Sequence, residues 1–403
     1  MNKFTKIVLP AVALAALAAV SSPAAENQAG GEPATARPAQ GKLSAFMGKP
    51  QFAMQELFKN RGGRNIITAH DGTVLAFHRG TVRRSGDGGK MWNEPVKIGP
   101  DAGGNAIVDE KTGVIMLVNP RGHQWISKDA GLTWTREEIT VRPNRLGHGS
   151  SEKKNLNANC MQPGVTLSFG KHKGRLIMPV RWVPSNEIAW RPSIYNTAIY
   201  SDDRGKTWQT TMPFPVLGTG EAALAELSDG RILYSSREHM TRGNRFFAWS
   251  HDGGVRWLNF WRSDILPDGA RGTSYGCMGG LIRLPVKDRD ILIYSNLDSD
   301  GGKMPPIHQA GASRGQGRKN ITVWASFDGG GTWPVKRSVF AGASAYSNLG
   351  VGRPGTPSKG RIFLLFEGGK HKYSAIQVAV FNLSWLLGGE KTGNGELPKW
   401  VSK

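Results

Sequence analysis

Short runs in which apolar and polar positions alternate recur along the chain, as at Thr197–Tyr200, Phe246–Trp249 and Ile321–Ala325. A period of two marks a strand with one face buried. Each of these runs stops at an eight-residue pattern, Ser-x-Asp-x-Gly-x-Thr-Trp, and another strand-like segment follows. The pattern occurs five times, twice with the Thr position changed: Ser85–Trp92, Ser127–Trp134, Ser201–Trp208, Ser250–Trp257 and Ser326–Trp333. Asp accepts backbone N–H bonds, Gly takes a backbone conformation closed to other residues, and Trp packs the turn onto its own sheet. A hairpin repeated at this spacing predicts a β-propeller. The copies start 42, 74, 49 and 76 residues apart, so the long gaps hold insertions or a blade without the pattern. About 350 folded residues suit six blades of an all-β fold, with seven as the alternative. One domain over residues 51–403 is expected.

The N-terminus reads differently. Lys3 and Lys6 precede an apolar run, Ile7 to Val20, and the small residues Ser22 to Ala25 follow it. That is an export signal over residues 1–25, too short and too alanine-rich for a membrane span. Residues 26–50, rich in Ala, Gly, Pro and Gln, read as a flexible leader. The expected location is the periplasm or the exterior, which takes nucleic acid off the list of partners. Cys160 and Cys277 are too few for a disulfide framework, and no His/Cys spacing suits zinc, so neither metal nor cofactor is expected.

Composition sharpens this picture. The 403 residues include 53 glycines and 13 tryptophans, which fits many tight turns and excludes a long helical bundle. The 52 Lys+Arg against 31 Asp+Glu leave a formal charge of +21. That charge suits an anionic partner such as an acidic glycan, or is simply a basic, soluble surface.

Beyond the five boxes, longer stretches resemble the sialidase superfamily, in particular bacterial exo-α-sialidases of glycoside hydrolase family 33. The segment Gly218–Trp257, GTGEAALAELSDGRILYSSREHMTRGNRFFAWSHDGGVRW, is similar to the family block that holds a catalytic Glu and a substrate-binding Arg. The resemblance implies those roles for Glu221 and Arg237. YGCMGGLIRLPVKDRDILIYSN and GRKNITVWASFDGGGTW, within Tyr275–Trp333, place Arg318 at the third arginine. ASAYSNL puts Tyr346 at the nucleophile, and FLLFEGG puts Glu367 where a glutamate supports the first arginine. The residue types fit the chemistry. A sialic acid carries a carboxylate on its anomeric carbon, which convergent guanidinium groups bind through paired hydrogen bonds. That carboxylate would repel an anionic nucleophile, so a neutral Tyr hydroxyl with Glu221 as its base is suited to the attack.

Two features depart from the family pattern. For the first arginine the chain offers RGGRNIITAHDGTVLAF, without the family's Arg-Ile-Pro; Arg64 is the choice and Arg61 the reserve. The family's general-acid aspartate is missing: only His78 to Val82 separate Phe77 from Arg83, with no Asp or Glu among them. His78 is therefore the candidate acid, since its ordinary pKa lies near neutrality. His123, in NPRGHQW, is a second candidate, and loss or change of the reaction is a third reading. The polar stretches Gly147–Asn159 and Ser299–Asn320 are insertions that either form substrate loops or carry no role.

The function these readings imply is a monomeric exo-acting hydrolase that releases a terminal sialic acid, or a related 2-keto acid sugar, from an acidic glycan. The alternatives are a propeller lyase or hydrolase for a uronate polysaccharide, and a glycan-binding propeller without turnover.

Overall fold

The computed structural model describes residues 40–146, 148, 159–160, 162–182, 193–240, 243–269, 276–299, 317–370, 374–389 and 395–402. For Gly63, Arg64, Asn159, Cys160 and Ser402 only the backbone is described. The expected export signal, most of the expected leader and much of both insertions lie outside these residues.

The strands form six sheets, antiparallel except at the outer edge of the third, which are the six blades of a propeller. Blade one is β2 (Gly63–Thr68), β3 (Val74–His78), β4 (Thr81–Ser85) and β5 (Val96–Lys97). Blade two is β6 (Asn105–Val108), β7 (Ile115–Asn119), β8 (His123–Ser127) and β9 (Thr135–Glu138). Blade three is wider. Its β11 (Asn159–Cys160) and β12 (Val165–Thr166) both pair with β13 (Leu176–Trp182), followed by β14 (Tyr195–Ser201), β15 (Thr207–Thr210) and a parallel outer β10 (Thr140–Arg142). Blade four is β16 (Thr219–Glu226), β17 (Ile232–Glu238), β18 (Asn244–Ser250) and β19 (Leu258–Pro267). Blade five is β20 (Gly280–Arg283), β21 (Leu292–Leu297), β22 (Lys319–Ser326) and β23 (Val335–Ala343). Blade six joins β24 (Ser347–Val351), β25 (Ile362–Gly368) and β26 (Ala375–Phe381) to β1 (Phe52–Phe58) from the other end of the chain. The β1–β26 register runs from Phe52 opposite Phe381 to Phe58 opposite Ile376, and this pairing closes the ring.

Strand parity explains the core. A second strand of a blade lies between two neighbouring blades, so both of its faces are buried. In β3, Leu75 and Phe77 pack with Ala106, Ile115 and Leu117 of blade two. Val74 and Ala76 point the other way, into Phe363, Leu365 and Val378 of blade six. Alternation here chooses between two apolar neighbours, not between core and water, which is why Val74–Phe77 and Ile362–Phe366 read as unbroken apolar runs. Each such side chain contributes roughly 1.5–3 kcal/mol by leaving water.

The five boxes adopt one hydrogen-bonding scheme. The Ser hydroxyl donates to its Asp at 2.7–2.9 Å and accepts a glycine N–H at 2.8–2.9 Å. These turns also do something the sequence did not disclose: they lean on the preceding blade. A Cβ on Gly131 would meet Leu75 Cδ2 at 2.3 Å, and one on Gly254 would meet Ile177 Cδ1 at 2.0 Å. Trp134 likewise packs edge-on against Phe77 of blade one, not only on its own sheet. The boxes therefore join blades as well as turning the chain.

Of the two readings of the long gaps between boxes, insertions within blades three and five is the one that holds; the blade without a box is the sixth, whose fourth strand is β1. One expectation needs correction. The leader, expected to be flexible through residue 50, is ordered from Gln40 onward. Gly41 bridges Val286, Leu43–Phe46 form a 3-10 turn, and Phe46 and Met47 are buried. Those two apolar side chains make the segment part of the fold. Cys277 is a buried free thiol. Among the described residues no helix is long and apolar enough to cross a membrane.

Candidate active site

In an antiparallel blade the start of the first strand, the end of the second and the start of the third share one face of the ring. Tyr346 stands immediately before β24, Glu221 near the start of β16, and Arg318 immediately before β22. Arg237 and Glu367 occupy the penultimate positions of β17 and β25, and His78 ends β3. All six therefore belong to the same face. The boxes follow the third strands and lie on the opposite one.

Four of these side chains meet. The Tyr346 hydroxyl donates to Glu221 Oε1 at 2.9 Å. Arg237 Nη1 donates to Glu221 Oε2 and, at 3.2 Å, to the Tyr346 hydroxyl oxygen. The Arg318 guanidinium carbon lies 5.4 Å from the centre of the Tyr346 ring, and its Nη2 donates to the Gly276 carbonyl at 2.8 Å. Arg237 and Glu221 are buried beneath the ring.

The backbone under Glu221 is unusual. Its φ is +65°, and the β16–β17 register shifts between Thr219 and Ala222. A left-handed glutamate inside a strand costs on the order of 1–3 kcal/mol, and the bulge is what turns its carboxylate towards Tyr346. Arg245, fully buried on β18, donates to the Glu221 carbonyl at 3.0 Å and to Asp268 at 2.7 Å, holding the bulge from behind. Gly220 permits it from the front: a Cβ there would meet Arg181 Cδ at 2.5 Å and His239 Nε2 at 2.9 Å.

Electrostatics divide the roles. Burial pushes the Glu221 carboxyl up, but Arg237, then His239 and Arg181, outweigh it and bring the group down to about 2. It stays an anion able to accept a proton. Burial raises Tyr346, helped by Glu221 and opposed by Arg237 and Arg318, so its hydroxyl stays neutral. Burial also raises Glu367, against the pull of Arg318 and Arg61.

A cavity of about 600 Å³ opens over Tyr346. Arg318, Glu367, Arg61 and His78 form part of its wall. Arg61, the reserve candidate, thus reaches the site, whereas the Arg64 side chain lies outside the described residues. The His78 ring stacks on Phe58 at 4.6 Å, and its Nε2 lies 3.3 Å from the Arg61 carbonyl oxygen. Burial, together with Arg79, holds its pKa below the ordinary value, against the carbonyls of Arg61 and Asn60. His123 is not among the residues of this wall: its Nε2 lies 3.5 Å from Asp101 Oδ2, in the connection from blade one to blade two.

Arg181 and Arg245 escaped the sequence reading. Arg181 Nη1 is 3.9 Å from Glu221 Oε1, and both arginines are buried. Their signal was present in LIMPVRW and NRFFAWS, where a guanidinium interrupts an apolar strand and so needs a buried anion or carbonyl.

The profile of the BNR repeat-like domain matches residues 31–379. A sialidase of Micromonospora viridifaciens is 28% identical over 88% of this chain and 58% of its own length. A sialidase of Bacteroides fragilis is 27% identical over 64% of this chain and 48% of its own. The chain thus spans about half the length of these two relatives. Among solved structures, a Hadza microbial sialidase aligns with a TM-score of 0.59 at 21% identity, over 81% of this chain and 67% of that one. The intramolecular trans-sialidase of Ruminococcus gnavus aligns at 0.55 and 14% identity, over 88% and 99%. At these identities the structural likeness establishes the fold.

Proposed function

The chain belongs to the BNR repeat-like family and shares the six-bladed propeller of the sialidases, and from that premise we propose that it is an exo-acting glycosidase for a terminal sialic acid or related 2-keto acid sugar. The observation that carries this reading is the 2.9 Å Tyr346–Glu221 hydrogen bond beneath an arginine-walled cavity. The N-terminal pattern supports action outside the cytoplasm.

Arg318 and Arg61, with Arg237 below them, attract the sugar carboxylate and set the anomeric carbon over Tyr346. The Tyr346 oxygen bonds to that carbon while Glu221 takes the hydroxyl proton. The bond to the leaving oxygen breaks, and that oxygen takes a proton from His78 in its imidazolium form. In the second half, neutral His78 takes a proton from water as the water oxygen attacks the same carbon. Tyr346 leaves and recovers its proton from Glu221.

A fluorogenic α-sialoside should release its fluorophore. No release at any pH between about 4 and 8 would sink the proposal. With 3′-sialyllactose, whose leaving alcohol needs a proton, the rate should fall as pH rises through a pKa below 6.5, because the imidazolium is lost there. His78→Gln should remove that limb and lower the rate roughly 10²-fold, with a smaller loss on the phenolic leaving group. A limb that survives His78→Gln excludes this residue as the acid.

A further inference from the structure

The cavity wall is rich in arginine. Besides Arg61 and Arg318 it includes Arg79 and Arg121, and Glu367 is the one carboxylate among its described lining residues. Arg79 stands at the tip of the β3–β4 hairpin and Arg121 at the tip of β7–β8, and both are exposed. No carboxylate among the described residues pairs with Arg79.

The backbone at Arg79 adds a second observation. With φ of +44° at Arg79 and +76° at Gly80, both central residues of the two-residue turn are left-handed. Such turns favour Asn, Asp or Gly at the first position, so an arginine there is strained. The strained residue is also one that lines the cavity.

Position tells what these arginines meet. Tyr346 attacks from the cavity floor, so the leaving oxygen, on the opposite side of the anomeric carbon, points towards the mouth. The hairpin tips of blades one and two form that part of the wall. We propose that Arg79 and Arg121 make a leaving-side subsite for an anion, so that the preferred substrate carries a carboxylate or sulfate on the leaving-group sugar, the one to which the terminal sugar is linked. This rests on the hydrolase reading above. It also links the cavity to His78: burial and Arg79 both hold that imidazole low, against the Arg61 and Asn60 carbonyls, and an anion seated on Arg79 offsets its share.

The test compares kcat/KM for an α2,8-linked disialic acid, 3′-sialyllactose sulfated on its galactose, and plain 3′-sialyllactose. At low salt the charged substrates should be preferred by about tenfold or more, and the excess should shrink as salt rises. The doubly substituted Arg79→Gln/Arg121→Gln protein should bring the ratio near one, while Arg79→Lys retains part of it. A preference for only one of the two charged substrates tells carboxylate from sulfate. A ratio near one in the unaltered protein, or a preference that survives the double substitution, overturns the proposal. Binding of the same three glycans to Tyr346→Phe, measured by calorimetry, needs no turnover. Tighter binding of the charged glycans there supports the subsite even if no substrate is released, and equal binding refutes it.

Discussion

Tyr346→Phe is expected to lower turnover of a fluorogenic sialoside by about 10³-fold or more while an acidic-sugar inhibitor still binds. The change removes one oxygen. The ring that remains keeps its place between Arg237 and Arg318, whose guanidinium carbons lie 5.9 and 5.4 Å from its centre. Glu221 keeps Arg237 as its counter-ion and stays charged. What disappears is the atom that would bond to the anomeric carbon and the proton that Glu221 would accept. Initial rates and inhibitor calorimetry on the same preparation separate the two effects. A variant retaining more than about a tenth of the rate would remove Tyr346 from the covalent role.

Arg245→Leu should cost about 3–5 kcal/mol of stability, although Arg245 touches no substrate. This side chain is fully buried and donates to the Ser235 hydroxyl, Asp268, and the carbonyls of Cys277 and Glu221. Without it Asp268 keeps a backbone N–H from Glu238 but loses its cation. Burial already pushes Asp268 up to about 6 while Arg245 and Arg237 oppose it. Removing Arg245 raises it further. A carboxyl whose folded pKa exceeds its unfolded value near 3.9 contributes stability below that value and loses it as pH rises through the folded pKa. The deficit relative to the unaltered protein should therefore be smaller at pH 5 than at pH 8. The double change Arg245→Leu/Asp268→Asn should recover part of it. Urea unfolding at both pH values measures this, and a loss under about 1 kcal/mol would refute the buried-pair account.

The boxes made the blades legible because their turn chemistry is local: Ser, Asp, Gly and Trp satisfy one another within eight residues. Tyr346, Glu221, Arg237 and Arg318 were legible through family order, and the structure brings them together. What escaped was whatever depends on residues distant in the sequence. Arg181 finds Glu221 across a blade boundary, and Arg245 finds Glu221 and Asp268 from other segments of its own blade, so neither sequence window contains the anion or carbonyl that explains it. The choice of Arg64 over Arg61 rested on the continuous strand pattern after Asn65; Arg61, in the turn before the strand, lines the cavity, and the Arg64 side chain lies outside the described residues. The ordered turn at Leu43–Phe46 was hidden by composition. Only Phe46 and Met47 in that stretch are buried, too few to stand out among Ala, Gly and Pro.

The pairing of β1 with β26 has a consequence for how the molecule is made. β1 leaves the ribosome first, yet its partner is synthesised roughly 330 positions later. Blades one to five can each assemble from contiguous sequence as it emerges, but the sixth waits for the last strand. Until then β1 offers an unpaired edge, with Phe52 and Met54 exposed even in the finished ring. Closing so long a loop is the slow, high-contact-order step. The ring would thus stay open, its first blade without a closing neighbour, until β26 has been made.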